Sequence, residues 1–196
     1  DPLNPNSLSS NVVGSVIEDK TGVIWVATNN GLNSFDRKTG KFHRYQHDPK
    51  NSHSINNNNL AIFPYPDIKE DQEGNLWMRT DIGLNKLNKD RTIFTHYVNN
   101  PTETNSISSN FITSLEIDLT GIIWVGVVNG KLNKANLNNK AFGLNRHDPD
   151  SINSLSDNTV TSIMEDAAGI VWIGTAGGGL NRWDKKTNRF THYNHN

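Results

Sequence analysis

Tryptophans stand at positions 25, 77, 124 and 172, spaced 52, 47 and 48 residues apart. A repeat of this length decides the architecture before any other feature, because one copy cannot bury its apolar surface without a neighbouring copy. The registers agree well beyond tryptophan. Each Trp lies three residues after a glycine (Gly22, Gly74, Gly121, Gly169), and each glycine three after an aspartate (Asp19, Asp71, Asp118, Asp166). A Leu-Asn pair follows at Leu32-Asn33, Leu84-Asn85, Leu132-Asn133 and Leu180-Asn181. Then come Phe42, Phe94, Phe142 and Phe190, with Tyr45, Tyr97 and Tyr193 three residues on and Asn145 in the third copy. An Asp/Asn-Pro corner opens each copy (Asp1-Pro2, Asp48-Pro49, Asn100-Pro101, Asp148-Pro149), and Ser7, Ser54, Ser106 or Ser154 stands six residues after its Asp or Asn.

Within the first copy the pattern predicts four strands, over 12–18, 23–28, 31–36 and 41–46. The connections are short and rich in turn residues, so the strands are antiparallel; parallel strands need a long crossover. The second strand is the informative one. Val23-Ile24-Trp25-Val26, Ile122-Ile123-Trp124-Val125 and Ile170-Val171-Trp172-Ile173 are apolar without alternation. An antiparallel strand with one wet face should alternate, so these are expected to be covered on both faces. Four-stranded units covered on both faces by their neighbours are the blades of a β-propeller. The expected fold is therefore all-β, one propeller region over residues 1–196 with blades near 6–47, 53–99, 105–147 and 153–195. The repeated residues should build the blades: Trp between them, Gly for the unusual angles of its turn, and Asp accepting from its own turn's backbone. Function should sit where the copies differ.

Composition removes several function classes. Lys+Arg 19 against Asp+Glu 20 gives a net charge of -1, which leaves no global positive field to hold nucleic acid. There are 0 cysteines, hence no disulfide framework, thiolate metal site or thiol nucleophile. No run of 18 consecutive apolar residues exists, so no direct membrane insertion is expected of this segment, and its start at Asp1-Pro2-Leu3 carries no charged or apolar leader. The 30 asparagines read as turn residues repeated from copy to copy. His96 and His192 occupy equivalent positions, as do His47 and His147, so the repeat scatters them and no cofactor or metal site is expected. No His-Glu-x-x-His, serine elbow or phosphate-cradling loop is present, and Gly177-Gly178-Gly179 occupies an ordinary turn.

The strings Asn6-Ser-Leu-Ser-Ser-Asn11, Glu18-Asp-Lys-Thr-Gly-Val-Ile-Trp-Val-Ala-Thr28 and Gly31-Leu-Asn33 resemble the two-component regulator propeller repeat. So do Asn153-Ser-Leu-Ser-Asp-Asn158, Glu165-Asp-Ala-Ala-Gly-Ile-Val-Trp-Ile-Gly-Thr175 and Gly179-Leu-Asn181. The resemblance extends over essentially the whole chain. It implies the ligand-sensing region, outside the cytoplasm, of a bacterial histidine-kinase signalling protein, including hybrid kinases that detect polysaccharide breakdown products. Propellers of that family generally have more than four blades. The chain is accordingly expected to be part or half of a larger propeller, with the remaining blades or a second copy as partner. The third copy departs from the pattern at Val127-Val128, Lys131 and Asn145, which puts the outer edge of its blade in question.

The resemblance also places a ligand on the face that carries the connections between second and third strands and between successive copies. The differing turn residues there are Asn29, Asn30, Asp81, Asn129 and Ala176 to Gly178, and side-chain amides and carboxylates suit sugar hydroxyls. Arg79 replaces the Ala27, Gly126 and Gly174 of its equivalents, so its guanidinium needs either a structural carboxylate, with Asp81 nearest in sequence, or a ligand anion. The second copy carries an insertion: Ser54 to Gly74 spans 20 residues where the others span 15. Its Phe63-Pro64-Tyr65-Pro66 should bulge from the first strand, and Phe63 and Tyr65 either stack on a ligand or partner or pack into the channel. The preceding Asn56 to Asn59 reads as a mobile loop. The expected function is non-enzymatic recognition of a small molecule or oligosaccharide. The rivals are a propeller enzyme acting on glycans, with His43, His53, Arg79 and Asp81 as its non-repeating groups, and a structural scaffold.

Overall fold

Each copy of the repeat folds as one four-stranded antiparallel sheet whose strands follow in chain order. The computed structural model describes residues 3–61, 67–103, 105–128, 131–136 and 142–195. Blade 1 is β1 (Val13–Glu18), β2 (Ile24–Thr28), β3 (Gly31–Asp36) and β4 (Lys41–Tyr45); blade 2 is β5 (Ile68–Glu70), β6 (Leu76–Thr80), β7 (Gly83–Leu87) and β8 (Phe94–Tyr97). Blade 3 is β9 (Ile112–Ile117), β10 (Ile122–Val127), β11 (Lys131–Asn136) and β12 (Phe142–Asn145); blade 4 is β13 (Val160–Glu165), β14 (Ile170–Thr175), β15 (Leu180–Asp184) and β16 (Arg189–Tyr193). The chain divides into two compact units of two blades each, Asp1–Tyr97 and Val98–Asn196. The outer strand of blade 3 forms despite the departures there, β12 pairing with β11 from Leu132↔Asn145 to Ala135↔Phe142.

The non-alternating second strands are covered as their composition requires. In the first unit Trp25, Ala27 and Leu32 of blade 1 pack with Ile55, Leu60, Ile68, Leu76, Met78, Leu87 and Phe94 of blade 2. In the second unit Trp124 and Leu132 of blade 3 meet Leu155, Val160, Ile163, Val171, Ile173 and Trp183 of blade 4. Trp25 and Trp124 are each only 1% exposed, so removal of apolar surface from water between the two blades of each unit is the main stabilising term.

The turn between first and second strands is built the same way four times. Asp19 Oδ1 accepts from the backbone N–H of Thr21 and Val23, and its Oδ2 accepts from the indole Nε1 of Trp25 at 2.8 Å. The indole bond recurs as Asp71–Trp77, Asp118–Trp124 and Asp166–Trp172 at 2.8, 3.0 and 2.8 Å. Gly22, Gly74, Gly121 and Gly169 close these turns at φ between +78° and +86°, where a side chain would be strained. The backbone half of this motif follows from the spacing; the indole bond is an addition the structure supplies.

The first strand of blade 2 has three residues, against six in the other blades. The Phe63-Pro64-Tyr65-Pro66 segment expected to bulge lies outside the described residues. Asn56 to Asn59 are corrected from the mobile loop expected. Asn56 exchanges hydrogen bonds with Asn85, and Asn58 takes the backbone N–H of His47 and of Gly31. Asn59 Nδ2 donates to Asp81. The run is framework because each amide side chain has a specific backbone or side-chain partner.

Candidate functional site

The asparagine of each Leu-Asn pair positions the connection that leads into its blade. Asn181 is fully buried; its Oδ1 accepts from Ser156 N–H at 2.8 Å, and its Nδ2 donates to Ser156 Oγ at 2.8 Å and to Ile173 O at 3.2 Å. The same reciprocal clamp joins Asn33 to Ser9, Asn85 to Asn56 and Asn133 to Ser108. These four asparagines are therefore core clamps rather than turn residues. Satisfying a buried amide from both ends fixes the connection against the third strand.

A second clamp holds the entry to blade 4. Ser154 Oγ donates to the carbonyl of Asp148, and the Asp148 N–H donates back to Ser154 Oγ. His147 Nδ1 donates to Leu155 O at 2.6 Å, and His192 Nε2 donates to Ser154 O at 2.8 Å. A backbone carbonyl only accepts, so each of these ring nitrogens carries its hydrogen. The equivalents His47 and His96 bind Ile55 O and Ser54 O in blade 2. These four histidines, distributed by the repeat, each bind a framework carbonyl.

Against this connection, in blade 4, lies a cleft of about 520 Å³. It is lined by the corner 147–152, Ser154 and Ser156 on one side and by Gly177, Gly178, His192 and Asn194 on the other. Gly178 is required by close approach: a Cβ there would stand 2.3 Å from Ser156 Oγ and 2.7 Å from the Ser156 carbonyl carbon. Gly177 is less constrained, its Cβ meeting only the carboxylate of Asp157 at 3.3 Å. The three glycines therefore let the turn lie flat on the connection and keep the cleft floor backbone. Its walls combine hydroxyls, carboxylates, imidazoles and a side-chain amide with the apolar Pro149 and Ile152. Such a surface can exchange hydrogen bonds with a neutral, hydroxyl-rich ligand and cover its apolar face.

The other sequence candidates are placed as follows. Asn29 is exposed in the turn after β2, whereas Asn30 is engaged by its own framework, donating to Ser9 O and accepting from Gln46 Nε2. Arg79 is 3% exposed in β6, opposite Leu84 of β7. In blades 3 and 4 the equivalent Gly126 and Gly174 lie beneath Ser114 and Ser162, whose Oγ atoms would meet a Cβ at 2.4 and 2.3 Å. In blade 2, β5 pairs with β6 only from Ile68 opposite Met78, one position short of Arg79, so no paired β5 residue stands opposite it. Asp81 is exposed and bound by Asn59 Nδ2 at 2.9 Å. Asn129 lies outside the described residues, with Phe63 and Tyr65. His43 stands on β4 edge-on to Tyr45, and the backbone of His53 joins Asn51 and Phe94. Among the described residues no group of three His, Asp or Glu side chains is arranged to hold a metal ion. The residues that spacing reasoning missed are Ser156, His192 and Asn194: each repeats or lies near a chain end, and only the fold brings them to the 177–178 turn.

With this geometry the comparisons with known proteins agree. The two-component regulator propeller profile matches residues 7–30 and 154–177, the entries to blades 1 and 4. No curated protein matches the chain. Among solved structures, an extracellular domain of Bacteroides thetaiotaomicron assigned to a hybrid two-component system (BT3049) is 27% identical over 96% of this chain, with a TM-score of 0.76. PorZ, a surface component of the type-IX secretion system of Porphyromonas gingivalis, is 18% identical over 92% of the chain, with a TM-score of 0.66. An auxiliary nutrient binding protein of B. thetaiotaomicron is 10% identical over 94% of the chain, with a TM-score of 0.61. The chain spans 24%, 27% and 41% of those three proteins, respectively. The protein is a set of β-propeller blades. More particularly, residues 7–30 and 154–177, at the entries to its first and fourth blades, match the two-component regulator propeller repeat.

Proposed function

We propose that this chain is an extracytoplasmic recognition segment of a bacterial two-component signalling protein, and that it binds a small hydroxyl-rich ligand, an oligosaccharide, through the blade 4 cleft. The observation that carries the ligand reading is the cleft itself. It lies on the face carrying both the inter-blade connection and the turn between second and third strands, and its walls mix hydrogen-bonding side chains with Pro149 and Ile152, the carboxylates being those of Asp148 and Asp150. The likeness to an extracellular domain assigned to a hybrid two-component system supports the cellular placement. Recognition without chemistry fits the framework roles of the histidines, since His147 and His192 each spend a ring nitrogen on a backbone carbonyl.

Calorimetry against an oligosaccharide panel tests the reading. Saturable binding is expected for the wild-type chain, weakened about tenfold or more by Asp150→Ala together with Asn194→Ala. Turnover of the bound sugar, or binding indifferent to both substitutions, would contradict it.

A further inference from the structure

One residue at the entry to each first strand is anchored the same way in every blade, yet carries a different side chain in each. These residues are Val12, Asn59, Phe111 and Thr159, five positions after the serine of the corner. Each donates its N–H to the side chain two residues earlier: Val12 to Ser10 Oγ, Asn59 to Asn57 Oδ1, Phe111 to Ser109 Oγ and Thr159 to Asp157 Oδ1, at 3.1, 2.7, 3.1 and 2.6 Å. Each is also tied to the turn between second and third strands. The carbonyls of Val12, Phe111 and Thr159 accept from the N–H of Asn29, Val128 and Ala176 at 3.2, 2.9 and 2.9 Å, and Asn59 reaches the equivalent Asp81 through its side chain. The repeat thus sets where this side chain stands without setting what it is.

Blade 3 uses the position for a phenyl ring. Phe111 is 69% exposed, and Val128, its partner in the turn, is 40% exposed. The paired positions elsewhere are Val12 with Asn29, Asn59 with Asp81 and Thr159 with Ala176, so blade 3 alone places a large apolar side chain at both. A valine, an asparagine and a threonine serve the same anchoring, so the blade does not require an aromatic there. A ring left mostly in water also gains little from burial. Blade 3 has a blade before it and a blade after it in the chain, so this exposure is not that of a terminal sheet.

The place adjoins the cleft of blade 4. Thr113 Oγ1 donates to the carbonyl of Val160, which brings the start of β9 against the start of β13. Phe111 stands two residues before Thr113. Thr159 stands one before Val160, and its carbonyl binds Ala176, next to the Gly177-Gly178 floor. At this end of the two sheets an apolar pair in blade 3 is therefore followed by a hydrogen-bonding cleft in blade 4. A sugar uses both kinds of surface, its hydroxyls taking hydrogen bonds and its C–H face lying on an aromatic ring.

We infer that Phe111, with Val128, is a stacking platform that covers the C–H face of one ring of a neutral oligosaccharide while the blade 4 cleft holds the hydroxyls of another. The inference rests on the ligand class proposed above and extends that site into blade 3.

Calorimetry with neutral gluco- and manno-oligosaccharides tests it, on the wild type, Phe111→Thr, Phe111→Tyr and the Asp150→Ala/Asn194→Ala double variant. Phe111→Thr installs the residue that blade 4 carries at this position, so the melting temperature is expected to stay where it is while affinity falls about tenfold. Phe111→Tyr keeps the ring and should hold affinity within about twofold of wild type. Affinity untouched by Phe111→Thr but lowered by the double variant overturns the platform and leaves the cleft standing. Affinity lowered by Phe111→Thr but not by the double variant keeps the platform and removes the cleft. A marked fall in melting temperature with Phe111→Thr makes the ring structural and overturns the inference. A panel in which no sugar binds, with the labelled Phe111 ring resonances unmoved, overturns the platform together with the reading it rests on.

Discussion

Asp19 uses both carboxylate oxygens on its own turn and a third contact on the next blade, through Arg91. Burial alone would raise its pKa, but the hydrogen bonds from Thr21, Trp25 and the backbone outweigh it and lower the group to about 2. The folded pKa lies below the unfolded one, so the stabilisation is present above the unfolded pKa of about 4 and is lost as pH falls through about 2. Asp19→Asn should therefore cost about 2 kcal/mol at neutral pH, with the gap to wild type narrowing on acidification in urea titrations between about pH 5 and 2. A gap independent of pH would show that the carboxylate charge is not what the turn uses. The Asp-x-x-Gly spacing makes the turn legible in the sequence, but not the indole bond, because the Trp is six residues away and its ring direction is set by the sheet. Arg79 is a similar case. Its oddity is plain from the register, yet its near-complete burial, at 3% exposure, is seen only in the fold.

At the scale of elements, the strands of blade 1 are readable to within a residue at their ends, because antiparallel hairpins with Gly-marked turns leave little freedom. The asparagines were not. Composition counts them together, but Asn181 and its equivalents lie in strands with both amide ends satisfied. Asn181→Ala leaves Ser156 N–H and Oγ without their partner and should lower stability by about 1–3 kcal/mol, measured by chemical denaturation. Asn194→Ala, on an exposed residue, should change it by less than about 0.5 kcal/mol. The glycine turn gives a sharper contrast. Gly178→Ala forces a Cβ against Ser156 backbone and should reduce the melting temperature by several degrees, whereas Gly177→Ala meets only a movable carboxylate and should be tolerated. Equal effects of the two would mean that the turn does not lie on the connection as described. Asn56 to Asn59 teach the same lesson from the other side: a low-complexity run looks loose until the partners of each amide are seen.

At the scale of the molecule, the repeat divides labour. What recurs, the Asp–Trp turn and the Leu-Asn clamp in all four blades and the serine corner in blades 2, 3 and 4, builds blades. Where the copies differ, the chain gains a cleft in blade 4 and a buried arginine in blade 2. The period near 48 residues announced the blades outright, whereas the cleft was only half visible. Its turn stood out through Gly177 and Gly178, while its other wall is made of residues that repeat and so looked purely structural. The most direct test of this division is backbone amide NMR during titration with a bound oligosaccharide. The account predicts shifts confined to 147–156, 176–178 and 192–194 and to Phe111 and Val128, with the turns at Asp19, Asp71, Asp118 and Asp166 unmoved. Saturable binding whose shifts centre on those aspartate turns, on the opposite side of the strands, would contradict it.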